Sequence, residues 1–116
     1  MKALNRVKGN IGEAQAVCYL KKNRYKIIEC NYTCPLGEID IVAQKNDIVV
    51  FVEVKSRSSD TFGMPYEAIN YVKQRKIINC ARHYIVSNQL YDIQVRFDCI
   101  SILDGIITHI IDAFEL

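Results

Sequence analysis

No apolar run in the 116-residue chain is long enough to cross a bilayer. The N-terminal stretch MKALNRVKGN is basic, but no apolar segment follows it of the kind a secretion signal needs. These absences predict a cytoplasmic protein that does not partner a membrane. Internal repeats and low-complexity linkers are also missing, so residues 1–116 read as one domain. A regular cysteine framework is lacking: there are five cysteines, an odd number at irregular spacings. Cys30 and Cys34 form C-x-x-x-C, with only Cys80 and Cys99 far downstream to complete a zinc site, whose ligands usually come in tighter pairs. Reduced, mostly structural thiols are the expectation, without a disulfide framework. Only two prolines occur, and both punctuate: Pro35 in the turn CPLG, and Pro65 where a long helix is expected to open.

Net charge is close to balanced at +2, but its distribution is not even. Residues 1–26 carry seven Lys and Arg against the single acid Glu13. From Asp92 onward, five acids face Arg96 alone. A basic N-terminal face suits phosphate, although charge alone fits a solvated helix surface as well.

Half the residues are hydrophobic, enough for a real core. A helix is expected from about Asn5, as N-cap, to Asn23, with Val7, Ile11, Ala14 and Cys18 at helical spacing. YKIIECNYT is strand-like, and EIDIVAQ alternates polar and apolar residues. DIVVFVEVK follows after a short loop. SRSSDTFGM reads as a polar loop, Tyr66 to Ser87 as the long helix, and DIQVRFDCISI and IITHIIDAF as a hairpin turning at Asp104-Gly105. The order α-β-β-β-α-β-β predicts an α/β fold: a central mixed sheet flanked by helices. Ile48 to Val52 is apolar on both faces, so that strand should be central.

That strand ends in charge. Val49, Phe51, Glu53 and Lys55 share one face by alternation. On the preceding strand Glu38, Asp40 and Val42 share a face, and the hairpin register decides whether the two faces coincide. If Gln44 pairs with Asp47, Asp40 is diagonal to Glu53; if Gln44 pairs with Val49, Asp40 faces Glu53. An unbulged three-residue loop puts Asp40 on the opposite side. Two carboxylates within about 5–7 Å repel in a partly buried site, and a hard divalent cation offsets that repulsion. A neighbouring lysine can hold a metal-bound water or balance charge on a phosphate oxygen. E-x-K alone also fits the solvated end of a strand, both residues being common.

GEIDIVAQKNDIVVFVEVKSRSS resembles the core of the YraN-like family, uncharacterised proteins regarded as endonucleases. Further matches run nearly the whole chain: GNIGEAQAVCYL, FGMPYEAI, KQRKI, VRFDCISI and IIDAF. That family is placed with the restriction-endonuclease-like PD-(D/E)xK nucleases and is similar to archaeal Holliday junction resolvases. The resemblance implies a restriction-endonuclease-like fold with Asp40 and Glu53 as metal ligands, Lys55 as the lysine of E-x-K, and Glu13 as the helical glutamate of the resolvase-like branch. Ile39 stands where the superfamily motif has proline. Magnesium or manganese is the implied cofactor and DNA the partner, branched or damaged DNA being candidate substrates. Cutting both strands would call for a homodimer.

Gln74 lies on the inward line Gln74-Ile78-Ala81-Ile85 and is a candidate to brace the lysine or a metal water. Glu38 is a candidate extra ligand. Lys73, Arg75, Lys76 and Arg82 are open to phosphate contact, but Arg75, Lys76 and Arg82 lie toward the outer side, which favours solvation; Arg96 and Asp98 read as a structural ion pair, and His83 and His109 as non-catalytic and without partners by spacing. The loop from Ser56 to Met64 is a candidate DNA contact. The rival class is a nucleic-acid-binding or scaffold protein with the same fold and no turnover.

Overall fold

The computed structural model describes residues 2–57 and 70–115, with the side chains of the first helix from Ile11 onward. The elements are α1 (Lys2–Lys22), β1 (Lys26–Cys34), β2 (Gly37–Lys45), β3 (Ile48–Arg57), α2 (Tyr71–Ser87), β4 (Gln94–Leu103) and β5 (Ile106–Phe114). The five strands form one sheet in the order β1-β2-β3-β4-β5. β1, β2 and β3 are an antiparallel meander. α2 carries the chain across so that β4 runs parallel to β3, and β5 returns antiparallel. The element order, the mixed sheet and the central place of β3 are those expected from the sequence.

The two faces of β3 explain its apolar run. Val49 and Phe51 join Ile39, Val42, Phe97 and Phe114 under Ile77, Ile78, Ala81 and Tyr84 of α2. Val50 and Val52 join Ile41, Ala43, Ile100 and Ile102 under Ala16 and Leu20 of α1. Phe51 stands edge-on to Tyr84 and stacks on Phe97, at centroid distances of 5.7 and 5.6 Å. Truncating a fully buried side chain such as Phe51 costs about 3–5 kcal/mol.

Helix α1 differs from the sequence reading in its start and its rotation. It is already helical at Lys2, so Asn5 lies inside it and is not its cap. Ile11 is 57% exposed, and Ala14 and Cys18 are exposed as well, while Gly12, Ala16 and Leu20 are buried. Small residues win over larger apolar ones because they let the helix axis come closer to the sheet. A Cβ on Gly12 would stand 3.0 Å from the Cβ of Ser56 on β3. The helix ends as Arg24 turns to φ 67° and the Tyr25 N–H returns to the Leu20 carbonyl.

Helix α2 begins at Tyr71, later than expected from Pro65. Asn70 has extended backbone (ψ 170°), and its side chain accepts the Lys73 N–H, making it the N-cap. Pro65 and Ser58 to Met64 of the expected loop lie outside the described residues. Ser56 and Arg57 belong to β3 rather than to that loop. Asp104 (φ 50°) and Gly105 (φ 80°) make the tight β4–β5 turn, as their residue types predict.

A buried polar network ties α1 to β4 and β5. Arg96 forks onto both oxygens of the fully buried Asp98 at 2.8 Å and reaches the Tyr25 hydroxyl at 2.7 Å. Asp98 also accepts from His109 Nε2 at 2.7 Å and from the Asp112 N–H at 3.0 Å. Tyr19 on α1 closes the network on His109 Nδ1 at 3.0 Å. His109 therefore has partners that its spacing in sequence does not reveal, and His83 likewise meets the Tyr32 hydroxyl. Burial alone would raise the Asp98 pKa, but the bonds from His109, Arg96 and Asp112 bring it below the usual carboxylate value.

Candidate active site

The β2–β3 ladder is regular from Lys45↔Ile48 to Ile41↔Val52, with Gln44 opposite Val49. Of the registers open in the sequence, this is the one that brings Asp40 to the level of Glu53. The connection is a two-residue turn, Asn46-Asp47, because Lys45 and Ile48 also pair, and Asn46 takes φ 53°. Beyond Ile41 the two strands part. Ile39 packs on the α2 side and Ile41 on the α1 side, so side-chain alternation breaks at Asp40. Across the sheet Asn31 has φ 56°, a second irregularity at the same level. Asp40 turns into the opening, and its Oδ2 accepts the Val54 N–H at 2.8 Å. A carboxylate thus takes the place of a ladder carbonyl, between the two faces of the sheet.

Glu53, on the α2 face, is buried, and its charge acts on Asp40. Burial first, and then the Glu53 charge, push the Asp40 carboxyl up to about 7; the Glu38 charge acts in the same direction, and the Val54 N–H acts against them. Glu13 reaches the cluster from α1. Its pKa is raised by burial and by the charges of Asp40 and Glu38, partly offset by a hydrogen bond from Asn31. Glu13 Oε1 is buried with no hydrogen-bond partner. Close packing at Gly12 is what carries Glu13 this near the sheet. Lys55 follows Glu53 on the same face. Burial, with the charges of Lys73 and Arg57, lowers its pKa against the raising effect of Glu53 and Cys99.

Lys73 keeps one side in solvent but is engaged with the site, which the sequence reading did not foresee. Its Nζ lies 2.8 Å from Glu53 Oε1. Burial works against its charge, but the hydrogen bond to Glu53 and the charges of Glu53, Asp40 and Glu38 leave its pKa raised. The sequence did hold a signal: Lys73 heads the line Lys73-Ile77-Cys80-Tyr84, whose other members are all buried. Gln74, half-buried beside it, heads the parallel line through Ile78 and Ala81. Glu38 is exposed, yet close enough for its charge to act on Asp40, Glu13 and Lys73.

This geometry lies inside a stretch of chain with many counterparts. Residues 12–102 match the uncharacterised protein family UPF0102. The chain belongs to that family. A UPF0102 protein of Clostridium acetobutylicum is 47% identical over 116 residues, covering 100% of this chain and 93% of its own. One from Clostridioides difficile is 46% identical over 112 residues, covering 95% and 98%. One from Persephonella marina is 46% identical over 110 residues, covering 95% of each. The matched region contains Glu13, Asp40, Glu53, Lys55, Lys73 and Gln74.

Among the described residues, no three His, Cys, Asp or Glu side chains converge as a ready-made cation cage. The donor chemistry nonetheless fits a hard cation. Asp40 and Glu53 are neighbouring carboxyls whose charges act on each other, and Glu13 offers a buried oxygen with no hydrogen-bond partner. All five cysteines are free, and the Sγ atoms of Cys34 and Cys80 meet at 3.2 Å. Among the described residues no helix is long and apolar enough to cross a membrane.

Proposed function

We propose that the protein is a metal-dependent endonuclease that hydrolyses DNA phosphodiester bonds on a restriction-endonuclease-like fold, with branched or damaged DNA among its substrates. The observation that carries this reading is the pair of neighbouring carboxyls, part-buried Asp40 held on the Val54 N–H and buried Glu53, whose charge helps to push the Asp40 carboxyl up. Such a pair costs stability unless a proton or a cation shares it, so a binding role accounts for it better than a structural one. The α-β-β-β-α-β order supports the fold assignment.

Asp40 and Glu53 are the residues that would hold magnesium or manganese, with Glu13 as the third donor. A bound cation of this kind supplies an activated water and neutralises charge on the phosphate. Asp40 is fixed for the task by the Val54 N–H, and Glu53 by the rigid burial of β3. Lys55 holds its proton less firmly than an ordinary lysine. Its Nζ can therefore orient the attacking water or donate to the phosphate oxygen on which charge develops. Gln74 at the head of α2 braces this face. Cleavage of both strands would require a homodimer.

The test is cleavage of branched, single-stranded and duplex DNA with magnesium or manganese, beside Glu53→Ala and Lys55→Ala. Each variant should lose at least roughly 100-fold in rate. Equal cleavage by all three proteins would point to a contaminant and remove the catalytic reading. A second reading, a nucleic-acid-binding protein without turnover, draws on the unclosed cation cage and on the Lys73 contact to Glu53. It predicts DNA binding with no metal-dependent cleavage of any substrate.

A further inference from the structure

We infer that Lys73 is the resident counter-ion of the carboxylate site: without a divalent cation its ammonium holds Glu53 Oε1, and a cation takes that oxygen by displacing it. The inference rests on the metal-binding reading above and adds a residue that lies outside the D…E-x-K motif.

The asymmetry of the ion pair carries the argument. The Glu53 side chain is 8% exposed and the Lys73 side chain 46% exposed. Glu53 is held on the central strand β3, opposite Cys99 of β4, and is itself buried. Lys73 hangs from the first turn of α2 on a flexible four-carbon stem with solvent on one side. Its backbone is held by Asn70, so the helix need not move when the ammonium leaves. Exchange therefore breaks one half-exposed contact, of a kind worth little on its own, and disturbs no core packing.

Charge balance gives the pair its purpose. Glu13, Glu38, Asp40 and Glu53 all act on this small region. In the cation-free protein Lys73 is the positive charge in direct contact with Glu53. It keeps that carboxylate pointed into the opening beside Asp40, in the orientation a cation would need. The ammonium is thus a placeholder that pre-forms the site and a competitor that must be displaced to fill it.

The experiment is calorimetric titration of chelator-treated full-length protein with manganese, for wild type, Lys73→Met, Lys73→Arg and Glu53→Gln. Lys73→Met should bind manganese roughly fivefold to tenfold more tightly than wild type, the factor expected when a weak surface-type ion pair no longer competes. Lys73→Arg, which keeps the charge, should bind as wild type does. Glu53→Gln should bind at least roughly tenfold more weakly. In NMR spectra of the lysine ammonium groups, the Lys73 signal slowed by Glu53 should vanish or shift on saturation with magnesium. Unchanged or weaker manganese affinity in Lys73→Met, with Glu53→Gln weakened, overturns the inference and leaves the metal reading standing. So does an unmoved Lys73 signal at saturating magnesium. Unchanged affinity in Glu53→Gln overturns the metal reading itself, and the inference with it.

Discussion

Asp40→Asn should make the metal-free protein more stable at alkaline pH, which is unusual for a substitution inside a tightly built sheet. Asparagine keeps the shape and an oxygen for the Val54 N–H, and its amide can donate to Glu53. What it removes is a charge the site resists. The Asp40 carboxyl sits at about 7 against an ordinary 3.8, chiefly because it is buried and beside Glu53. In the folded protein it is therefore the harder of the two states to ionise. Below about pH 4 it is protonated folded and unfolded alike, and costs nothing. Between about pH 4 and pH 7 the unfolded chain ionises first, and stability drains away as pH rises. Above pH 7 the full difference, about 4 kcal/mol at most, is charged against the native state. Sharing of the proton with Glu53 spreads that cost over the pair. Asp40→Asn should thus gain roughly 2–4 kcal/mol at pH 8 and little at pH 4.5. The assay is urea unfolding at both pH values with a chelator present. Magnesium should shrink the pH 8 gap, since it stabilises wild type by binding the native state alone. A variant no more stable than wild type at pH 8, or stabilised equally at both pH values, would refute the account of Asp40 as a strained carboxyl.

Asp98→Ala leaves Arg96 and His109 buried without their shared acceptor, and should cost about 3–5 kcal/mol in chemical denaturation. Because the Asp98 pKa is lowered in the folded state, its contribution is present above the ordinary carboxylate range and is lost as pH falls below it; acid unfolding of wild type should steepen there, and that of Asp98→Asn should not. Gly12→Val drives a branched side chain into Ser56 and should destabilise by about 1–3 kcal/mol, with Ser56→Gly recovering part of the loss in a thermal melt of the double variant. Cys34 and Cys80, with Sγ atoms 3.2 Å apart, should be the first pair cross-linked by the thiol oxidant diamide, read as a loss of about two mass units in a peptide pair joining β1 to α2.

The parts of the fold that local pattern controls were legible in the sequence. The two-faced apolar run of DIVVFVEVK and the Asp104-Gly105 turn each act within a few residues and appear where their chemistry puts them, whereas the alternation of EIDIVAQ holds from Ile41 to Ala43 and breaks at Asp40. The rotation of α1 was not legible, because Ile11 and Cys18 look more hydrophobic than Gly12 and Ala16. What decides the buried face is how near the helix can come to β3, a property of both surfaces. The start of α2 was masked by Pro65, a common helix opener, whereas Asn70 supplies the cap. Within the candidate site, Asp40, Glu53 and Lys55 could be named from type and spacing, and Glu13 from the family resemblance. Lys73 could be placed on the inward line of α2, but its partner could not be named, since Glu53 is 20 residues away and on another element. Nor could the break at Asp40, which depends on the left-handed backbone of Asn31 in the neighbouring strand.

The opening that receives Asp40 follows from unequal pairing along β3. With β4, β3 keeps register through its whole length, from Ile48↔Gln94 to Arg57↔Leu103. With β2, the pairing runs only as far as Ile41↔Val52. A strand that lost both neighbours after Val52 would fray, and Glu53 and Lys55 would be mobile side chains on a loose end. A strand that kept both would satisfy the Val54 N–H with a carbonyl and leave no room for a carboxylate. β3 does neither: β4 holds it straight while β2 turns away, and the freed N–H is taken by Asp40. The same asymmetry opens the sheet to both helices, so that Glu13 arrives from α1 and Lys73 from α2. The stiffness of the site thus comes from the parallel β3–β4 pairing rather than from the hairpin that carries Asp40. Substitutions that loosen β4, such as Asp98→Ala, should disturb Glu53 and Lys55 without touching any residue of the cluster.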